Sequence, residues 1–211
     1  MSHGEGHPSR RYLIGAFALL GLGTLLPTAS PAVPPADEKL EERYTAFGVS
    51  MGAGAAGVLN ITITRYSTEE ERKLLIETLA KDGQDKMVEV LRKQKETGFA
   101  RTQTGAGMKG WPSVRLYYAH QTQKDGKRIV VVLTERNMTM AERTSGGRSV
   151  DYDVSAVVME LEPVEGDEKL IEKGQGTLFR AAKLEFDKDN KLNVEYMGTQ
   201  PIRLTDIKRE K

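Results

Sequence analysis

Residues 47–64 read FGVSMGAGAAGVLNITIT, and two motifs that carry chemistry elsewhere overlap inside them. Gly48-Val49-Ser50-Met51-Gly52 fits the G-x-S-x-G elbow that presents a nucleophilic serine on a strand-to-helix turn. Gly52-Ala53-Gly54-Ala55-Ala56-Gly57 fits the G-x-G-x-x-G turn whose glycines let the backbone approach a pyrophosphate at a helix N-terminus. Both motifs need a helix launched from the turn. Here Leu59, Ile61 and Ile63 alternate with Asn60, Thr62 and Thr64, a period of two that predicts a strand. The stretch therefore reads as a glycine-rich connection between two strands, and neither motif has its scaffold. Ser50 retains one arithmetic partner, His120, the only histidine outside the first seven residues. In phase with Val114, Leu116 and Tyr118, that histidine is expected on an apolar face as a structural residue.

A second constellation is cationic. Asp125-Gly126 between two strand-like runs predicts a two-residue type I′ hairpin. Its register sets Tyr118 opposite Leu133, His120 opposite Val131 and Arg115 opposite Arg136. Like charges directly across a sheet are unfavourable unless something negative lies between them. With Arg101, Arg148 and Tyr117 drawn in by a curled sheet, the candidate ligand-binding set is Arg101, Arg115, Tyr117, Arg136 and Arg148. The ligand class is a small carboxylate, a phosphate or an acidic polymer. A structural reading competes: residues 92–148 hold twelve basic and four acidic side chains, and the acidic block from Asp151 to Glu168 could neutralise them across the sheet. Trp111, before Pro112 in a glycine-rich stretch, is expected to anchor a loop to the core.

Other chemistries lack parts. The chain has no cysteine, which excludes disulfides and thiolate metal sites, and too few imidazoles for an ordinary zinc site. Asp187-Lys188-Asp189-Asn190-Lys191 begins like a calcium loop but lacks the later ligands and the glycine at position six. No cofactor and no metal are expected, and a formal net charge of +1 over 211 residues does not call for nucleic acid.

The elements that must position these residues follow from periodicity. Strands are expected over 44–50, 58–66, 113–123, 127–136, 153–161, 177–187, 191–197 and 202–207. Ser67-Thr68-Glu69-Glu70 reads as a capping box with Ser67 as cap. It opens a helix to about Ala80; Asp82-Gly83 breaks it, and a second helix covers about 84–95. The expected fold is α+β: a mainly antiparallel, curled sheet of seven or eight strands with one helical hairpin on one face.

The front end reads as an address. Arg10 and Arg11 precede a mostly apolar run from Tyr12 to Leu26, too short for the ~20 residues of a membrane span, and TASPAVPPA follows. Residues 1–32 are expected to be a signal peptide, cleaved near 32–36, with general secretion favoured over the twin-arginine route. Residues 33–43 then form a flexible leader and 44–211 a single domain with no further membrane span.

Arg43-Tyr44-Thr45-Ala46-Phe47, the run Tyr66 to Arg72, Arg148-Ser149-Val150-Asp151-Tyr152 and Gly198 to Thr205 resemble a family of exported, signal-peptide-bearing bacterial proteins of acidobacterial type. The resemblance implies an exported, strand-rich domain. It brings no catalytic residue, cofactor or activity. The resulting expectation is a periplasmic or secreted domain that binds a small or anionic ligand without transforming it. A hydrolase of unassigned chemistry and an envelope protein-interaction domain are the alternatives.

Overall fold

Alternation of period two governs most of the chain, and the strands it produces wrap into a barrel. The computed structural model describes residues 10–12, 41–49, 56–104, 113–135, 154–186, 192–196 and 201–210. Eleven strands join one sheet: β1 (Arg10–Tyr12), β2 (Glu42–Val49), β3 (Ala56–Ile63), β4 (Gly98–Thr104), β5 (Val114–Leu116), β6 (Tyr118–Lys124), β7 (Lys127–Thr134), β8 (Val154–Pro163), β9 (Leu170–Phe186), β10 (Leu192–Tyr196) and β11 (Ile202–Glu210). The helix α1 spans Glu69–Leu91. Neighbours follow the path β5-β4-β3-β2-β11-β9-β8-β7-β6, and β10 pairs with β9 and β1 off that path.

The two ends of this path are consecutive in the chain. Only Tyr117 separates β5, which pairs with β4, from β6, which pairs with β7. The Tyr117 N–H donates to Leu133 O at 3.1 Å while the Thr97 N–H donates to Leu116 O at 2.8 Å, so one extended segment belongs to both edges. The curled sheet of seven or eight strands with a helical hairpin is thereby corrected. The ten strands β2 to β11 form a near-closed antiparallel barrel with a single helix. A sheet whose edges meet removes the unpaired backbone groups that an open sheet must protect.

Tyr117 also changes which residues face inward. Val114 and Leu116 lie in the barrel interior, yet so does Ala119, while Tyr117 and Tyr118 pack on the outside. The extra residue shifts the two-residue phase, as a bulge does. His120 therefore stacks with Tyr118 outside the barrel, ring centroids 6.2 Å apart, and does not share a face with Val114 and Leu116.

Inside, Tyr44, Ile61, Val130, Met159, Leu161 and Leu204 interdigitate with almost no exposure. Each such side chain contributes about 1.5–3 kcal/mol through loss of apolar contact with water. Outside, α1 lays Leu75, Met87, Val88 and Leu91 against Val154, Ala156, Phe179 and Ala182. The cap falls one residue later than expected. Thr68 caps, accepting from the Glu71 N–H at 3.2 Å while Glu71 reaches back to the Thr68 N–H at 2.9 Å. The reason is that Ser67 Oγ is taken by the Ala119 N–H of β6. Gly83, at φ 81°, is the one non-helical residue within the element, so the chain resumes its helix where a hairpin turn was expected. Beside it, Gln84 accepts from the Leu184 N–H and donates to Ala182 O, joining the helix to the part of β9 that runs past β8.

Where β9 crosses β8, Gly174 stands so close to the Glu160 carbonyl that a Cβ would collide with backbone. Gly174→Ala is expected to lower the unfolding free energy by about 3 kcal/mol in urea titration. A change under about 0.5 kcal/mol would show that the strands separate easily at this point.

Candidate functional site

Charged residues occur in phase with the apolar interior of four strands, and they meet. Glu42 alternates with Tyr44 and Ala46 on β2, Arg128 with Val130 and Val132 on β7, Glu172 with Leu178 on β9, and Arg209 follows Ile207 on β11. Gln121 of β6 and Tyr66, just beyond β3, complete the group. Arg128 is the hub. Its Nε donates to Glu172 Oε1 at 2.8 Å, and Nη2 donates to the same carboxylate and to Tyr44 Oη at 2.7 Å. Nη1 donates to Gln121 Oε1 at 2.7 Å, Tyr66 Oη at 3.1 Å and Glu42 Oε2 at 3.3 Å. Arg209 bridges both carboxylates, at 2.8 Å to Glu42 and 3.0 Å to Glu172.

Two guanidinium groups thus balance two carboxylates in a nearly dry setting. Burial pushes the Glu42 carboxyl up, but hydrogen bonds donated by Tyr44 (2.6 Å) and Tyr66 (2.5 Å), with the charges of Arg128 and Arg209, outweigh it and hold Glu42 below its ordinary range. Burial, and then the neighbouring oxygens, push both tyrosine hydroxyls up, so they stay protonated donors. Burial pulls the Arg128 guanidinium down, yet Glu172 and the tyrosine oxygens raise it overall and it remains a cation. Every carboxylate here is bound by a cation or a hydroxyl, which leaves no base to take a proton and no unpaired cation to grip an anion. The arrangement closes one end of the barrel. The sequence reading does not bring the group together, because Glu42 falls within the expected leader and Glu172 ahead of the strand expected over 177–187.

The sequence-derived candidates lie elsewhere. Arg101 and Arg115 are on the outer face of the barrel, since Ala100, Val114 and Leu116 point inward. They flank Phe99: the Arg101 guanidinium sits 5.2 Å from the ring centroid, and Arg115 lies directly across the ladder from Phe99. The hairpin register holds from Tyr118 to Lys124, so Tyr118 does face Leu133. Its extrapolation to Arg115 fails, because β5 has left for β4. Tyr117 is half-buried against the helix side and is not part of the Arg101–Phe99–Arg115 row. Arg136 and Arg148, like Ser50 and Trp111, fall outside the described residues. The structural reading of the charge blocks is met in part by Lys127, paired to Glu162 at 2.8 Å.

The chain past the glycine stretch is extended, with Gly57 already in β3 opposite Gly48 of β2. His120 is held below its ordinary value by burial and then by Arg72, so its imidazole is neutral at neutral pH. Among the described residues, no group of three or more His, Cys, Asp or Glu could hold a metal ion, and no helix is long and apolar enough to cross a membrane. No protein family, curated protein or solved structure matches the chain. The class defined by fold and geometry is a globular α+β barrel domain with a charge-balanced interior.

Glu42→Gln is expected to cost about 3 kcal/mol at neutral pH, because two half-buried arginines lose one of their two carboxylates. A depressed native pKa gives stability that is complete above the ordinary carboxylate value and lost as pH falls through the native one. The gap between wild type and Glu42→Gln should therefore narrow as pH drops below 4.5. A gap that is constant from pH 7 to pH 3 in denaturant titrations would refute the assignment.

Proposed function

We propose that this chain is an exported, non-catalytic binding domain that takes an anionic ligand on the outer face formed by β4, β3, β2 and β11. The observation that carries the reading is Arg101 stacked over Phe99 with Arg115 across from the ring. Stacking occupies the face of a guanidinium and leaves its edge donors free for a carboxylate, phosphate or sulfate. No carboxylate among the described residues pairs with Arg101 or with Arg203 of the neighbouring β11. The same row continues through Thr62 to Arg43. Arg43 and Arg115 bind Glu41 and Glu96 at 2.6 Å, but such exposed pairs are worth about 0–1 kcal/mol and yield readily to a competing anion. Phe47, 43% exposed on the same face, adds an apolar contact of the kind a sugar ring or acyl group can use.

A periplasmic or secreted setting is proposed with it, supported by the Arg10-Arg11 run and the apolar segment behind it. Binding of oligogalacturonate, followed by calorimetry at low salt, is expected to weaken about tenfold in Arg101→Ala with an unchanged melting temperature. Inorganic phosphate serves as the small-anion control. Superimposable isotherms for wild type and variant would remove the reading.

A further inference from the structure

The β9–β10 hairpin reaches past the barrel wall, and its outer edge is covered by the chain's own beginning. β9 runs to Phe186, four residues beyond Ala182, where its ladder with β8 ends. β10 pairs along this extension, and β1 pairs antiparallel on the far side of β10: Arg10 opposite Tyr196, Arg11 opposite Glu195 and Tyr12 opposite Val194. Leu192-Asn193-Val194-Glu195-Tyr196 alternates apolar and polar residues and contains no proline, lysine or arginine. That composition lacks the proline and lysine that most discourage strand addition, and its single charge is Glu195. Removal of residues 1–32 deletes β1 and leaves every strand of the barrel in place, since both core clusters are drawn from residues 44–207.

We infer that the chain lacking its first 32 residues pairs with a second copy of itself through the β10 edges, and that Arg10–Tyr12 blocks this pairing until it is removed. The edge accepts an antiparallel strand in the structure, and a two-fold axis at Val194 preserves that sense. It sets Leu192 opposite Tyr196 of the other copy and Asn193 opposite Glu195, an apolar pair and a neutral–acidic pair with no like charges facing. Two five-residue edges make a small contact, so the dimer is concentration-dependent. This device is independent of the anion-binding face.

The test uses residues 33–211, with mass measured by sedimentation across a wide concentration range. A reversible dimer is expected, and a synthetic peptide of residues 8–14 should return it to monomer by occupying the edge. Asn193→Lys places lysine opposite Glu195 of the other copy and should keep or tighten the dimer. Asn193→Lys with Glu195→Lys sets lysine against lysine and should raise its dissociation constant at least tenfold, with the melting temperature of the monomer as a control for folding. A chain that stays monomeric, or a dimer that responds to neither the peptide nor the double variant, overturns the inference. Recovery of an unprocessed chain from cells would instead count against the export reading and leave the pairing result standing.

Discussion

Arg128 is the interaction on which the barrel depends. Through five donors it touches residues of β2, β6 and β9 and Tyr66 beyond β3, and by way of Glu42 and Glu172 it reaches Arg209 on β11. A buried cation of this kind is costly to remove from water, and the cost is recovered only when all its partners are in place. Strands in the wrong register would present Arg128 with aliphatic side chains. The network is thus a condition on closure, satisfied by one pairing of the strands.

The opposite requirement holds on the surface. The guanidinium groups inside are paired with carboxylates, whereas the exposed Arg101 is stacked on Phe99 outside. Helix α1 covers the outer faces of β7, β8 and β9 with Leu75, Met87, Val88 and Leu91, and among the described residues no helix covers the β4–β3–β2–β11 side of the barrel. One fold therefore separates two uses of the same side chain. The interior arginines define structure, and the exterior Arg101 is the one on which the proposed ligand contact rests.

Much of this was legible from residue patterns, within limits that have physical causes. Asp125 and Gly126 do take positive φ, 52° and 78°, and the pairing they imply for Tyr118 and His120 is the observed one. The extended course past Gly57 follows from the alternation of Leu59, Ile61 and Ile63. β4 is absent from the expected strands because Gly98-Phe99-Ala100-Arg101-Thr102 shows no clean apolar–polar alternation, and β9 begins at Leu170, well before the residue expected. The barrel itself was not legible. It turns on a single bulged residue, Tyr117, whose effect on phase depends on which strands lie to either side. Glu42 falls at the end of the expected leader, although its phase with Tyr44 and Ala46 marks it as inward. Which arginine it would meet is a property of the closed barrel and of no local segment.

Native-state hydrogen exchange on Arg128→Met tests the claim about closure most directly. Methionine keeps the side-chain bulk and removes the donors. If the hub ties the strands together, amides at the hub ends of β2, β7, β9 and β11 should lose protection by the same factor, as one cooperative unit. Loss confined to β7, with β2, β9 and β11 as protected as in the wild type, would contradict the account.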